Sequence, residues 1–115
     1  MRFVFLEAPI FTRLLPAYLD DEAYRALQTA LLQRPHLGAV IPGTGGFRKL
    51  RWRDDRRGKG KRGGLRIIYF VLEEEQQVWL FSLYDKNEMQ DLTVKQCRLL
   101  RIAIQAELRA RRSAQ

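Results

Sequence analysis

The chain has 115 residues, 46% hydrophobic and 30% charged, which suits one globular domain with a single modest core and argues against global disorder. Its one cysteine, Cys97, excludes an internal disulfide and a cysteine-cluster zinc site; its one histidine, His36, excludes a two-histidine ribonuclease arrangement and a histidine-rich metal centre. Twenty-one Lys and Arg against thirteen Asp and Glu leave a net charge of +8, the footprint of a polyanionic partner.

The positive charge is concentrated. Ten of the cations fall between Arg48 and Arg66, a window whose only acids are Asp54 and Asp55. No apolar run reaches 18 residues, and the apolar start is interrupted by Glu7, so a soluble cytoplasmic protein without membrane attachment is the default expectation.

Residues 1–6 alternate weakly and predict a short strand before Pro9. Ile10, Leu14 and Leu15 suggest a helical turn or short helix closed by Pro16. Asp20 or Asp21 can cap the next helix, with Glu22 in its first turn, where the helix dipole favours an anion. Tyr24, Leu27 and Leu31 recur at helical spacing, so residues 21–33 form an amphipathic helix that Pro35 ends.

Gly43-Thr-Gly-Gly46 is turn chemistry. Residues 47–53 then alternate, Leu50 and Trp52 toward one side, Lys49 and Arg51 toward the other, as a half-buried strand does. A polar, cationic, glycine-rich loop is expected over 54–64. The run from Leu65 to Leu72 predicts a buried strand, interrupted only by Arg66. Glu73 to Gln77 makes a polar turn into a third apolar strand, 78–84, so the two strands read as a hairpin. Asp91 or Thr93 can cap a last helix, with Cys97, Leu100, Ile104 and Leu108 on one stripe and Arg98, Arg101, Gln105, Arg109 and Arg112 on another. The tail after Leu108 is expected to fray. The whole reads as a single α+β domain over residues 1–115: an N-terminal strand and helices packed on a central antiparallel sheet, then a C-terminal helix.

If the three central strands are neighbours, Lys49, Arg51, Arg66, Tyr84 and Lys86 converge on one surface. Such a set suits RNA cleavage by its own 2′-hydroxyl. That reaction needs an aligned hydroxyl, charge stabilisation at phosphorus and a proton for the leaving oxygen. Arg66 offers a fixed fork to phosphate oxygens. Lys49 or Lys86, crowded by other cations, can serve as base or acid without a histidine. Tyr84 can stack on a base or position the phosphate. Arg48, Arg51, Lys59, Lys61 and Arg62 are expected to bind the RNA backbone. Bland readings compete with these: Tyr84 as a core-rim residue, Lys49 and Arg51 as solubilising charge, and Arg66 paired with Glu73, Glu74 or Asp85. The 58–64 loop lacks the spacing of a nucleotide-binding phosphate loop and precedes a strand. Glu88 and Asp91 are read as caps before metal ligands, Cys97, Trp52 and Trp79 as core, and His36 is given no role. No cofactor or metal is expected.

Three segments together resemble the RelE/HigB family of bacterial toxins, closest to the HigB-like branch: Gly43-Thr-Gly-Gly-Phe-Arg-Lys-Leu-Arg51, Gly58-Lys-Gly-Lys-Arg-Gly-Gly-Leu-Arg-Ile-Ile-Tyr69 and Leu83-Tyr-Asp-Lys-Asn-Glu88. The resemblance implies a compact α+β toxin domain. It also implies a metal-independent, ribosome-dependent endoribonuclease that cleaves mRNA in the A site and inhibits translation. By matching position it implies catalytic roles for Lys49, Arg66, Tyr84 and Lys86, with Arg51 beside them. The implied partners are the ribosome with mRNA and a cognate antitoxin, often a helix-turn-helix protein through which operator DNA is bound. The pattern departs at Asn87, where better-known members carry arginine, and at Thr93, where they carry tyrosine, so catalysis leans on Tyr84 and Lys86. The competing expectation is a non-catalytic basic module that binds RNA or DNA by charge alone.

Overall fold

The apolar run after Gly64 becomes the middle of the sheet, because only a strand with neighbours on both edges and helices on both faces buries so continuous a sequence. The structure, a computed structural model, describes residues 2–54, 61–89 and 91–114, without the side chains of residues 61–63. Its elements are β1 (Val4–Glu7), α1 (Pro9–Tyr18), α2 (Asp21–Gln33), β2 (Ala39–Val40), β3 (Arg48–Asp54), β4 (Lys61–Leu72), β5 (Gln77–Asp85) and α3 (Val94–Ser113). The sheet order is β1-β5-β4-β3-β2, antiparallel except that β1 runs parallel to β5.

Strand alternation divides the core in two. Leu50, Leu65, Ile67, Tyr69, Val78, Leu80 and Leu83 face one way and pack with Phe11 of α1 and Leu27 and Leu31 of α2. Phe47, Ile68 and Tyr84 face the other way and pack with Leu100 and Ile104 of α3. Around Phe47 the rings of Phe70 and Phe81 lie edge-on, each with its centroid 5.3 Å away. A bulge in the β4–β5 pairing, between Ile68 and Tyr69, shifts the alternation of β5 so that both halves keep their apolar residues inward.

Local chemistry fixes the ends of the elements. Asp20 caps α2 by accepting from the Ala23 N–H at 2.8 Å. Thr93 and Gln96 form a reciprocal capping box on α3. Contrary to the expectation from sequence, Pro16 does not close α1; the helix continues to Tyr18. So near the C-terminal end, a proline forfeits only the bond to the Thr12 carbonyl. Strand β4 starts at Lys61, well before Leu65, because Asp54 of β3 pairs with it, so ladder bonding overrides the local preference of the glycines. The two-residue edge strand β2 carries too little pattern to be read in advance. Helix α3 continues past Leu108 to Ser113, and Arg111 ties its end to Glu107 and to Gln77 of β5, each at 2.8 Å. Among the described residues no helix is long and apolar enough to cross a membrane.

One buried polar latch joins the helical layer to the sheet. The Tyr69 hydroxyl donates to the Pro35 carbonyl and accepts from the Gly38 N–H, both at 2.8 Å. Gly38 is required there, since a Cβ would lie 2.9 Å from both the Lys49 carbonyl oxygen and the Tyr69 ring. Replacing Tyr69 by Phe strands the Gly38 N–H and the Pro35 carbonyl. Tyr69→Phe should therefore lose about 1–3 kcal/mol, read as a lower urea midpoint at unchanged m. An unchanged midpoint would show that water replaces the hydroxyl.

Candidate active site

The register of β3, β4 and β5 lines up a row of side chains across three strands. Arg51 stands opposite Arg66, and Arg66 stands opposite Tyr84. The next row on the same face is Lys49, Ile68 and Ser82. Because Leu50, Trp52, Leu65 and Ile67 fill the α1/α2 side, Lys49, Arg51 and Arg66 project on the opposite face, beside Ile68 and Tyr84. Lys86 is exposed just past the end of β5, where its N–H donates to the Gly64 carbonyl at 3.1 Å. Lys49, Arg51, Arg66, Tyr84 and Lys86 are thus brought to one region.

Two like charges directly opposite on neighbouring strands destabilise a sheet unless an anion compensates them. A carboxylate stands nearby: Asp91, in the β5–α3 connection, accepts from Lys49 Nζ at 2.7 Å. The Lys49 hydrogen bond and charge, helped by Arg66, hold Asp91 below the ordinary carboxylate range. Tyr84 is only 6% exposed, and its hydroxyl is buried without a hydrogen-bond partner among the described residues. Burial, and then the Asp91 charge, push that phenol upward, with Arg66 partly opposing. Tyr84 is therefore a neutral hydrogen-bond donor at physiological pH rather than a phenolate base.

Other expected site residues lie elsewhere. Arg48 is one position out of phase with Lys49 and falls on the opposite face. There it donates to the Gly38 carbonyl at 2.7 Å and the His36 carbonyl at 3.3 Å, a structural contact remote from the row. Lys59 and the side chains of Lys61 and Arg62 lie outside the described residues. His36 pairs with Glu73 at 3.1 Å, joining two turns. Glu88 accepts from the Tyr18 hydroxyl and the Asp85 N–H, which closes the connection where Asp91 sits. Among the described residues no group of three or more His, Cys, Asp or Glu is placed to hold a metal ion. Asp91 is the residue that sequence reasoning assigned to the wrong task. Of the two cap candidates, Asp91 and Thr93, it is Thr93 that takes the cap, which leaves the Asp91 carboxylate to the lysine.

No protein-family model matches the sequence. Solved structures do match. A mutant of Escherichia coli toxin RelE in the free state aligns with a TM-score of 0.54 at 17% identity, over 78% of this chain and 90% of its own. The chain has the fold of the RelE toxins. The intact E. coli RelBE toxin–antitoxin complex aligns at 0.52 and 16% identity, over 72% of this chain and 95% of that one. An archaeal RelE–RelB complex from Pyrococcus horikoshii aligns at 0.50 and 18%, over 75% and 97%. On this RelE fold the row Arg51–Arg66–Tyr84 occupies the central three strands.

The Lys49–Asp91 pair has a direct test. The folded Asp91 value is lowered, so the pair's contribution to stability is complete above the ordinary carboxylate value and is lost as pH falls through the lowered one. In Lys49→Ala, carboxylate-detected NMR should find the Asp91 midpoint risen toward the ordinary range. An unmoved midpoint would assign the shift to another cation.

Proposed function

We propose that this chain is the toxin of a type II toxin–antitoxin pair, an endoribonuclease that cleaves mRNA in the ribosomal A site. The observation that carries the reading is the opposed arginine pair, Arg51 across from Arg66, with Tyr84 and Lys49 on the same face. Two guanidiniums on one face of adjacent strands offer paired, fixed forks to phosphate oxygens. The RelE fold and the HigB-like sequence segments support the same assignment.

The reaction follows from what these groups offer. The ribose 2′-oxygen attacks the adjacent phosphorus as its proton leaves. An O2′–P bond forms, the P–O5′ bond breaks, and the departing 5′-oxygen takes up a proton. A 2′,3′-cyclic phosphate and a free 5′-hydroxyl remain. Arg66 forks onto the non-bridging oxygens and stabilises the charge of the phosphorane. Lys49 exchanges its Asp91 carboxylate for the phosphate and adds a second positive charge. Lys86, exposed beside the row, moves the proton between bulk water and the reacting oxygens. Arg51 holds a flanking phosphate. The nucleophile belongs to the substrate, so the protein's task is alignment and charge. The ribosome supplies the mRNA in an extended form, and a cognate antitoxin, as in the RelBE complex, is the partner that silences the toxin.

Ribosomes programmed with mRNA should be cut at codon boundaries by this protein. Arg66→Ala should lower the rate by about 10²–10³-fold and restore growth on induced expression. Salt-sensitive binding with no cleavage would instead identify a non-catalytic RNA-binding module. Arg51→Ala should weaken RNA binding uniformly across sequences and reduce the salt slope by about one unit; an unaltered slope would remove Arg51 from the site.

A further inference from the structure

An apolar cleft of about 380 Å³ opens beside the cation row, between the sheet and α3. Its walls include Ile68, Phe81, Met89, Leu92 and Leu100, and Tyr84 belongs to both the row and the cleft. Ile68 and Ser82 on its floor continue the cross-strand row that begins at Lys49. The bulge in the β4–β5 pairing brings consecutive residues Phe81 and Ser82 to the same cleft, the kind of re-aiming that bulges perform next to functional sites.

We propose that this cleft receives a nucleobase of the RNA strand whose phosphate lies on Lys49 and Arg66. The inference rests on the phosphate reading above and adds the base to it. Within a row neighbouring strands lie about 4.8 Å apart, so Ile68 and Ser82 stand one and two strands across from Lys49, as Tyr84 stands one strand across from Arg66, within a nucleotide's reach of a phosphate on the two cations. The apolar walls match the faces of an unstacked base, and the few polar groups converge on its edge, as in small-ligand sites. The Tyr84 hydroxyl is buried with no partner among the described residues, a state that a base acceptor relieves once the cleft walls shift to admit it. Ser82 contributes a second hydroxyl. The Gln96 amide, held in place by Oε1 in the capping box, has a nitrogen whose contact is the weak acceptor Met89 Sδ at 3.8 Å, which a base acceptor can replace. An apolar peptide side chain would fill the volume but leave the Tyr84 hydroxyl unpaired.

The test uses the full chain and a short oligoribonucleotide made uncleavable by a 2′-deoxy sugar, compared with copies carrying one abasic ribose at each position in turn. One abasic position should weaken binding by about 5–150-fold, well beyond the others. Ser82→Leu, which fills the cleft, should weaken the intact oligonucleotide and erase its advantage over that abasic copy. Leu99→Trp, at the exposed mouth, should do the same without touching the sheet. Equal binding of all abasic copies, with Arg66→Ala still abolishing affinity, would overturn the base pocket and leave the phosphate site standing. Indifference to both Arg66→Ala and every abasic substitution would overturn both. Wild-type RNA affinity in Ser82→Leu and Leu99→Trp, alongside lost affinity for the cognate antitoxin, would make the cleft a protein-docking site and overturn the proposal.

Discussion

The register between β3 and β4 is the constraint on which the site depends. It sets Arg51 against Arg66, and a one-residue slip of β3 would turn Arg51 into the layer that holds Leu50, Leu65 and Ile67. Burying a guanidinium there costs far more than any local preference in the strand recovers, so the core enforces the register and the register enforces the charge row. The strongest ordering force in the molecule, burial under α1 and α2, thereby positions groups that repel one another on the opposite face. The interaction being resisted is also the one a phosphate would relieve.

The two faces are finished differently. On the α1/α2 side the polar groups are matched: Tyr69 bridges Pro35 and Gly38, and Arg48 closes on backbone carbonyls. On the α3 side, Tyr84 keeps a buried hydroxyl with no partner among the described residues, next to an apolar cleft. Departures from local consistency tend to gather where function has overridden stability. Their gathering on one face, around three strands, is difficult to ascribe to folding alone.

Much of this was legible in the chain. Alternation around Leu50 and Trp52 placed Lys49 and Arg51 together, and the hairpin placed Arg66 near Tyr84, because a period of two is a direct reading of side-chain direction. The same rule separates Arg48 from Lys49. Charge clustering had drawn the two together, since composition counts cations without asking which way they point. The early start of β4 was hidden because glycine-rich sequence carries no strand preference, and partner Asp54 supplies what the sequence lacks. The Lys49–Asp91 contact spans 42 positions and depends on how the β5–α3 connection is folded, closed by Glu88 against Tyr18 and by Thr93 at the helix. No local pattern encodes such a meeting.

Asp91 resolves the tension left by the charge row. A fold that gathers cations on one face must tolerate their mutual repulsion, and screening by salt alone acts weakly at a few ångströms. A carboxylate on a connecting segment answers this better than one fixed in the sheet. It compensates Lys49 at 2.7 Å, its own side chain is 75% exposed, and so it can turn to water when a phosphate arrives. An acid buried in the row would bind the cations more firmly and would also exclude the substrate. The exposure of Asp91 reconciles a stable free protein with the phosphate site proposed for this row.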